Sequence, residues 1–108
     1  MTPLAQFFGD AEHTFQLTAP LIQELEKSCG AGIGALSHRV FARQFTQADI
    51  TETIRLALIG GGTTPKRAAE LIAAYAADRP ISETHPLAAK ILERVWFGAP
   101  HEASNGQA

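Results

Sequence analysis

Residues 46–65 read TQADITETIRLALIGGGTTP, and this stretch decides the fold because it holds a helix start, a helix stop and a second helix start. Thr46, with Asp49 three residues later, matches a capping box in which Asp replaces the usual Glu. An apolar stripe at helical spacing follows: Ile50, Ile54, Ala57 and Leu58. The glycines at 60–62 end this helix, and the pair Thr64-Pro65 begins the next one.

Helical periodicity continues on both sides of this stretch. The additional helices are predicted at about 20–29, 33–43 and 65–77, and from Ser82 or Thr84 to about 97. Thr18 is predicted to cap the first of them, and Pro86 is placed in the first turn of the last.

The first eighteen residues follow a different pattern. The short runs Leu4–Phe8 and His13–Thr18 flank Gly9-Asp10-Ala11-Glu12, a cluster that favours a turn. Phe15 and Leu17 alternate with polar residues, which is the period of a half-buried strand. These features predict a β-hairpin, and because two strands alone are marginal in water, its apolar face must pack on helices.

The predicted fold class is therefore α+β and predominantly α, with an N-terminal β-hairpin packed on a bundle of four to five short helices. The chain has 108 residues, within the usual range for one domain. A single domain is predicted over 1–98. Residues 99–108 contain too few apolar side chains to pack and are predicted to be a disordered tail.

Composition excludes several functional classes. Nine Lys and Arg stand against eleven Asp and Glu, so the formal net charge of −2 predicts no electrostatic hold on nucleic acid or on an acidic membrane. Cys29 is the only cysteine, so no intramolecular disulfide is possible. Met1–Gly9 has no features of a signal peptide, and no apolar run approaches the ~20 residues of a membrane span. We expect a soluble cytoplasmic domain.

Two glycine clusters invite comparison with nucleotide-binding loops. Residues 30–35 have GxGxG spacing after a predicted helix, whereas the dinucleotide fingerprint needs GxGxxG after a strand. In residues 60–67, Pro65 stands where a phosphate-binding loop needs its second glycine, and Arg67 stands where it needs Ser or Thr. Both clusters are therefore interpreted as links between helices, and no cofactor is predicted.

The titratable residues form no recognisable catalytic or metal-binding pattern. The histidines, none of which pair at metal-ligand spacing, are His13, His38, His85 and His101. Cys29 and His38 could form a nucleophile–base pair, but Cys29 falls on the apolar stripe of its helix, where free cysteine behaves as a small hydrophobe. No carboxylate pair stands out as a tuned acid and base. No catalytic residue or metal ligand is assigned, and we expect a protein that is not an enzyme.

Four residues are candidates for contact with other proteins. Trp96 and Phe97 either close the core against the hairpin phenylalanines or form a partly exposed aromatic anchor, the residue type enriched in binding hot spots. Arg39 and Arg43 lie on the polar face of the helix at 33–43. The helices within 33–59 also suggest a DNA-binding unit, although the would-be recognition helix is not basic.

The order of these features resembles the small proteins of gene transfer agents and siphophages classed as tail assembly chaperones, also described as phage tail tube proteins. The residues that carry the resemblance are LIQELE at 21–26, GAGIGAL at 30–36, Phe45-Thr46, LALIGGG at 56–62, AAELI at 68–72 and AAKIL at 88–92. The resemblance extends over about Leu4 to Gly98, nearly the whole chain.

The resemblance implies a non-enzymatic role in the assembly of a phage-like tail, encoded by a prophage or a gene transfer agent. Its implied partners are a tape-measure protein and tail tube subunits, and self-association is also compatible with it. The composition adds the expectation of no nucleic acid and no membrane partner. Because the hairpin strands are short, the chaperone role is favoured over a tube-forming role. The alternative hypothesis is a small helical DNA-binding regulator that uses the helices within 33–59.

Overall fold

The predicted hairpin and five helices are present in the computed structural model, which describes residues 3–98. In chain order the elements are β1 (Leu4–Phe8), β2 (Ala11–Phe15), α1 (Ala19–Cys29), α2 (Ile33–Phe41), α3 (Gln47–Gly60), α4 (Pro65–Tyr75) and α5 (Ile81–Phe97). This confirms the α+β, predominantly α fold class. The predicted disordered tail at 99–108 lies outside the described residues.

Helix α3 begins with the capping box that the sequence predicts. The Asp49 N–H donates to Thr46 Oγ1 at 3.1 Å, and the Thr46 N–H donates to Asp49 Oδ2 at 2.9 Å. Two N–H groups near the helix start are thereby satisfied reciprocally. The buried residues of α3 are Asp49, Ile50, Thr53, Ile54, Leu56, Ala57 and Leu58. The helix packs against β2 and all four other helices, so it forms the centre of the bundle.

The glycines that end α3 also allow the hairpin to approach it. A Cβ atom on Gly60 would lie 1.8 Å from the Gln16 carbonyl oxygen, and one on Gly61 would lie 1.8 Å from the Thr14 carbonyl oxygen. The Gln16 N–H donates to the Ala57 carbonyl at 2.9 Å. The glycine cluster therefore ends a helix, as predicted, and also forms a close backbone contact that residue spacing does not predict.

The hairpin is tighter than predicted. Strands β1 and β2 pair antiparallel, from Leu4 opposite Phe15 to Phe8 opposite Ala11, so the loop has only the two residues Gly9 and Asp10. Gly9 has a φ of +68°, and it occupies the first loop position, where a type II′ turn requires glycine. The predicted second strand at 13–18 was therefore wrong at both ends, because the short loop leaves residues 11 and 12 free to join the ladder.

Helix α2 ends two residues before the predicted boundary at Arg43. The Gln44 N–H donates to the Arg39 carbonyl at 2.7 Å, and Arg43 adopts a left-handed φ of +60°. This is the closing pattern of a Schellman motif, in which glycine is the usual residue at the left-handed position. Helix α1 ends in the same way, with Gly30 at φ +66° in that position.

Two other helix ends differ by one to three residues from their approximate predicted positions. Helix α5 begins at Ile81, which places Pro86 in its second turn rather than its first. Because proline has no N–H, only the hydrogen bond to the Ser82 carbonyl is lost there. Helix α4 ends at Tyr75 rather than near 77, where the Ala76 and Ala77 N–H groups both donate to the Ile72 carbonyl at 2.9 Å.

Candidate protein-interaction surface

Helix α2 has one buried face and one exposed face. Leu36, Ser37 and Val40 point into the core. Gly34, His38 and Phe41, at spacings of four and three, form a stripe on the other side. The end of α5 lies beside this stripe. Together they form a shallow groove, called here the aromatic groove, which is lined by Gly34, His38, Phe41, Trp96 and Phe97.

The aromatic side chains of this groove are open to solvent. Trp96 is 58% exposed, Phe97 is 79% exposed and Phe41 is 42% exposed. The interpretation in which Trp96 and Phe97 close the core against the hairpin is therefore wrong. Tyr75 takes that place, because the Phe8 ring meets it edge to face at a centroid distance of 6.2 Å. The exposed-anchor alternative describes the observed placement.

A second groove adjoins the first through Phe97, which lies in both. It is lined by Leu4, Lys90, Glu93, Arg94, Phe97 and Gly98. The Lys90 ammonium lies 3.4 Å from Gln6 Oε1, and Arg94 donates to the Pro3 carbonyl at 2.6 Å. Two cations and one carboxylate therefore border Phe97 at the end of α5.

Arg39 lies in a different environment from the aromatic groove. Its guanidinium donates to Asp49 Oδ1 at 2.7 Å and to the Cys29 carbonyl at 3.4 Å. Asp49 is fully buried and also accepts from the Thr46 N–H. We call Cys29, Arg39, Thr46 and Asp49 the polar junction. It joins the end of α1, the last turn of α2 and the start of α3. A role for Arg39 in protein interaction stays a prediction.

Arg43 is exposed and lies beside a third shallow groove, together with Phe45, Ile81, Ser82, His85 and Pro86. His85 anchors this region, because its Nε2 lies 2.8 Å from the Val40 carbonyl oxygen and its ring stacks on Phe45 at 5.1 Å. Of the four residues predicted for interaction, the structure brings Trp96 and Phe97 together. It places neither Arg39 nor Arg43 in the lining of their groove.

The titratable groups that could carry chemistry have structural partners. Burial, reinforced by the nearby Asp49 carboxylate, raises the pKa of the Cys29 thiol to about 12, so the thiol is protonated at neutral pH. A hydrogen bond from Arg55 lowers the pKa of Glu52, and a hydrogen bond from His13 lowers the pKa of Asp10. Arg67 also pairs with Asp10, which ties the hairpin loop to α4.

Residues 3–98 were predicted to contain neither a metal site nor a membrane-spanning helix. Within this range, no group of three or more His, Cys, Asp or Glu residues is placed so that it could hold a metal ion. None of the helices in the same range is long and apolar enough to cross a membrane. His101 lies outside the described residues.

The position of α3 bears on the DNA-binding alternative. A recognition helix must present a free face to the major groove. In this fold α3 is surrounded, and none of its residues from Asp49 to Gly60 is fully exposed. Its only arginine, Arg55, is held by Glu52 through bonds of 2.9 and 2.7 Å. The structure therefore argues against the alternative.

Gly34, His38 and Phe41 were not predicted as interaction residues. Their spacing of four and three is visible in the sequence, and it differs from the buried stripe of α2. However, this spacing alone does not indicate a groove, because the second wall of the groove comes from the end of α5.

The model of a family described as "Phage tail tube protein, GTA-gp10" matches residues 3–98, which is all of the described chain. No curated protein and no solved structure matches.

Proposed function

The chain belongs to this phage and gene-transfer-agent tail protein family, as the resemblance predicted, and on that premise we propose that it is a non-enzymatic tail assembly chaperone. Its partners would be the tape-measure protein and the tail tube subunits, bound in the bacterial cytoplasm while the tail assembles. Self-association is a further part of the proposal.

The observation that carries the proposal is the aromatic groove. Large exposed aromatic side chains next to one another are unusual on a soluble monomer and mark surfaces that other proteins cover. A chaperone of assembly needs such a surface, because it must hold the apolar faces of its partners until they pack together. The groove lies on helices, so the fold can present it without any rearrangement of the hairpin.

The hairpin supports a chaperone role rather than a tube-wall role. Each strand has five residues, and the sheet has two strands among the described residues. A tube wall built by pairing strands between subunits would need longer strands than these. The inner face of the hairpin is already committed, since Leu4, Phe8 and Phe15 are buried against the helices.

The proposal that the protein is not an enzyme is supported by what the reactive groups do. Cys29 is a protonated thiol at neutral pH. The Asp49 carboxylate accepts hydrogen bonds from Arg39 and from the Thr46 N–H. Asp10, Glu52 and Glu83 are each paired with an arginine side chain.

Co-expression with the tail proteins encoded beside it tests the proposal. We expect the tagged chain to co-purify with the tape-measure protein and to keep that protein in solution. The matched pair of variants is Phe97→Ala in the groove and Phe7→Ala on the hairpin, since both phenylalanines are largely exposed. Only Phe97→Ala should reduce the yield of the complex.

Two results would contradict the chaperone role. One is the failure of folded tape-measure protein and folded tube subunits to co-purify with the chain. The other is the presence of the chain in finished tails at the same copy number as the tube subunit, which would make it a structural component of the tail.

A further inference from the structure

We infer that the aromatic groove binds one amphipathic α-helix of a partner protein, a helix whose apolar face is flanked by acidic residues. This inference rests on the proposed function, in which the partner is the tape-measure protein. It adds to that function the location of the binding site and the chemical nature of the bound segment.

The shape of the groove favours a helix over an extended segment. Its walls are the Gly34–Phe41 stripe of α2 and the end of α5, and no strand edge lines it. An extended peptide laid there would leave its backbone N–H and C=O groups without partners from the groove. A helix satisfies its own backbone and offers side chains at spacings of three and four, which suits an apolar groove between helices.

The exposed area is too small for a stable pair of copies joined through the groove. From their exposed fractions, Phe41, Trp96 and Phe97 together present about 350 Å² of aromatic surface, if each side chain offers roughly 200 Å². A stable protein–protein interface buries about 800 Å² on each partner. The area suits three anchors of a single helix, held weakly enough to be released when the tail is completed.

The charges around the groove indicate the sign of its partner. From residue 33 to residue 48 the chain has no Asp or Glu, and of its two arginines Arg39 is neutralised by Asp49. This leaves Arg43 two residues beyond Phe41, while Lys90 and Arg94 outnumber Glu93 at the other end. The Glu26 carboxylate accepts from the Ile33 N–H at 2.8 Å and lies near the Gly34 end, so Arg43, Lys90 and Arg94 stand against Glu93 and Glu26. The surroundings of the groove therefore carry a small positive excess, whereas the chain as a whole is acidic. Acidic flanks on the bound helix would complement it.

Trp96 provides a direct measurement, because it is the only tryptophan and it lies in the groove. Overlapping peptides of about 25 residues, roughly seven helical turns, would be prepared from the tape-measure protein and titrated into the full chain. We expect peptides that form acid-flanked amphipathic helices to shift the Trp96 emission to shorter wavelength. Raising the salt concentration should weaken their binding.

Gly34 provides a matched pair of variants that leaves this reporter in place. A Cβ atom on Gly34 would meet nothing within 4 Å, so larger side chains fit there without disturbing the core. Gly34→Ala adds a single methyl group to the groove and should weaken binding far less than Gly34→Glu. Gly34→Glu should weaken binding at least tenfold, because it fills the groove and places a carboxylate opposite the acidic flanks. Glu26 already accepts from the Ile33 N–H at the start of α2, so the new carboxylate is not needed as a cap. Because the space at position 34 is open, the variant should remain folded, with an unchanged circular dichroism spectrum.

Different failures identify different errors. If the tape-measure protein co-purifies but Gly34→Glu binds its peptides as tightly as Gly34→Ala, the groove assignment is overturned and the proposed function remains. If the tape-measure protein fails to co-purify while synthetic acid-flanked amphipathic helices still bind and Gly34→Glu abolishes that binding, the proposed function is overturned and the groove assignment remains.

Other occupants give their own signatures, each of which overturns the inference. A mass of two copies in solution that Gly34→Glu reduces to one would assign the groove to a second copy. A red shift of Trp96 after removal of residues 99–108 would assign it to the chain's own C-terminal segment. A salt-sensitive shift of the Trp96 emission with duplex DNA, or a preference for peptides whose flanks are basic, would exclude an acidic helix.

Discussion

His38 and Arg39 are neighbours on α2, yet they belong to two regions with opposite properties. His38 lies in the aromatic groove, where apolar side chains face solvent. Arg39 reaches into the polar junction, where a buried carboxylate is fully engaged. Successive helical residues are about 100° apart around the axis, so one helix can serve both regions.

The two regions differ in what their side chains contribute to the fold. In the polar junction, Asp49 makes one hydrogen bond with Arg39 and two with its cap residue Thr46, so loss of any of these groups affects the others. In the aromatic groove, the side chains contribute little burial to the fold. We therefore expect substitutions in the junction to lower the free energy of unfolding, and substitutions in the groove to affect the binding of partners.

Asp49→Ala is expected to have the largest effect on stability, with a loss of about 3 kcal/mol in the free energy of unfolding. It removes the side-chain acceptor of the Thr46 N–H, which is one half of the capping box, and leaves Arg39 without its carboxylate. Urea denaturation followed by circular dichroism measures the loss. Asp49→Asn keeps a side-chain acceptor for the Thr46 N–H and should lose less. A loss below about 1 kcal/mol for Asp49→Ala would show that the polar junction contributes no more to stability than an exposed salt bridge does.

Arg39→Met is expected to cost about 2 kcal/mol, less than Asp49→Ala. The Asp49 carboxylate loses its cation but keeps the Thr46 N–H, and the methionine retains much of the apolar stem. The Arg39 Nε–H is buried without a hydrogen-bond partner in the described part of the chain, which offsets part of the loss. In a double-mutant cycle with Asp49→Asn, additive losses would show that the two side chains are not coupled.

The polar junction was partly predictable, because its central pair is local. Thr46 and Asp49 are three residues apart and signal a capping box in any sequence. Arg39 could not be added to them, since the nine residues between Arg39 and Asp49 include the turn that brings α2 against α3. In the same way, the turn residues indicated a hairpin, but its register depends on a two-residue loop that the cluster Gly9–Glu12 left open.

The aromatic groove was less predictable for a geometric reason. Trp96 lies one position from the buried stripe of α5, where a small rotation of the helix decides between core and solvent. Sequence periodicity has an uncertainty of about that size at helix ends. The left-handed conformation of Arg43 was not predictable at all, because glycine or asparagine is the residue normally found in that conformation at a helix end.

Arg43→Gly is expected to stabilise the fold by about 0.5–1 kcal/mol, because glycine adopts the left-handed conformation at no steric cost. Gly30 already occupies the equivalent position after α1, so the chain contains its own reference: Gly30→Ala should lower stability by a similar amount. Thermal unfolding of the two variants measures both shifts. If Arg43→Gly also weakens the binding of acid-flanked helices, the strained arginine is retained for its charge, and the division between stability and binding extends to the end of α2. If the substitution destabilises the fold, the Arg43 side chain contributes to packing and belongs with the junction instead.

Trp96→Ala and Phe97→Ala are expected to have the smallest effect on folding, with changes within about 0.5 kcal/mol in the free energy of unfolding. Both side chains are more exposed than buried, so truncation removes few contacts. Their effect on binding should be the reverse: about a 30-fold loss of affinity for each, the size expected of an aromatic hot spot. Isothermal titration calorimetry measures this without a tryptophan reporter, and Phe7→Ala provides an exposed phenylalanine outside the groove as the control. If Phe97→Ala lowered stability as much as Arg39→Met while leaving affinity unchanged, the groove would be part of the core, and the two faces of α2 would not differ in function.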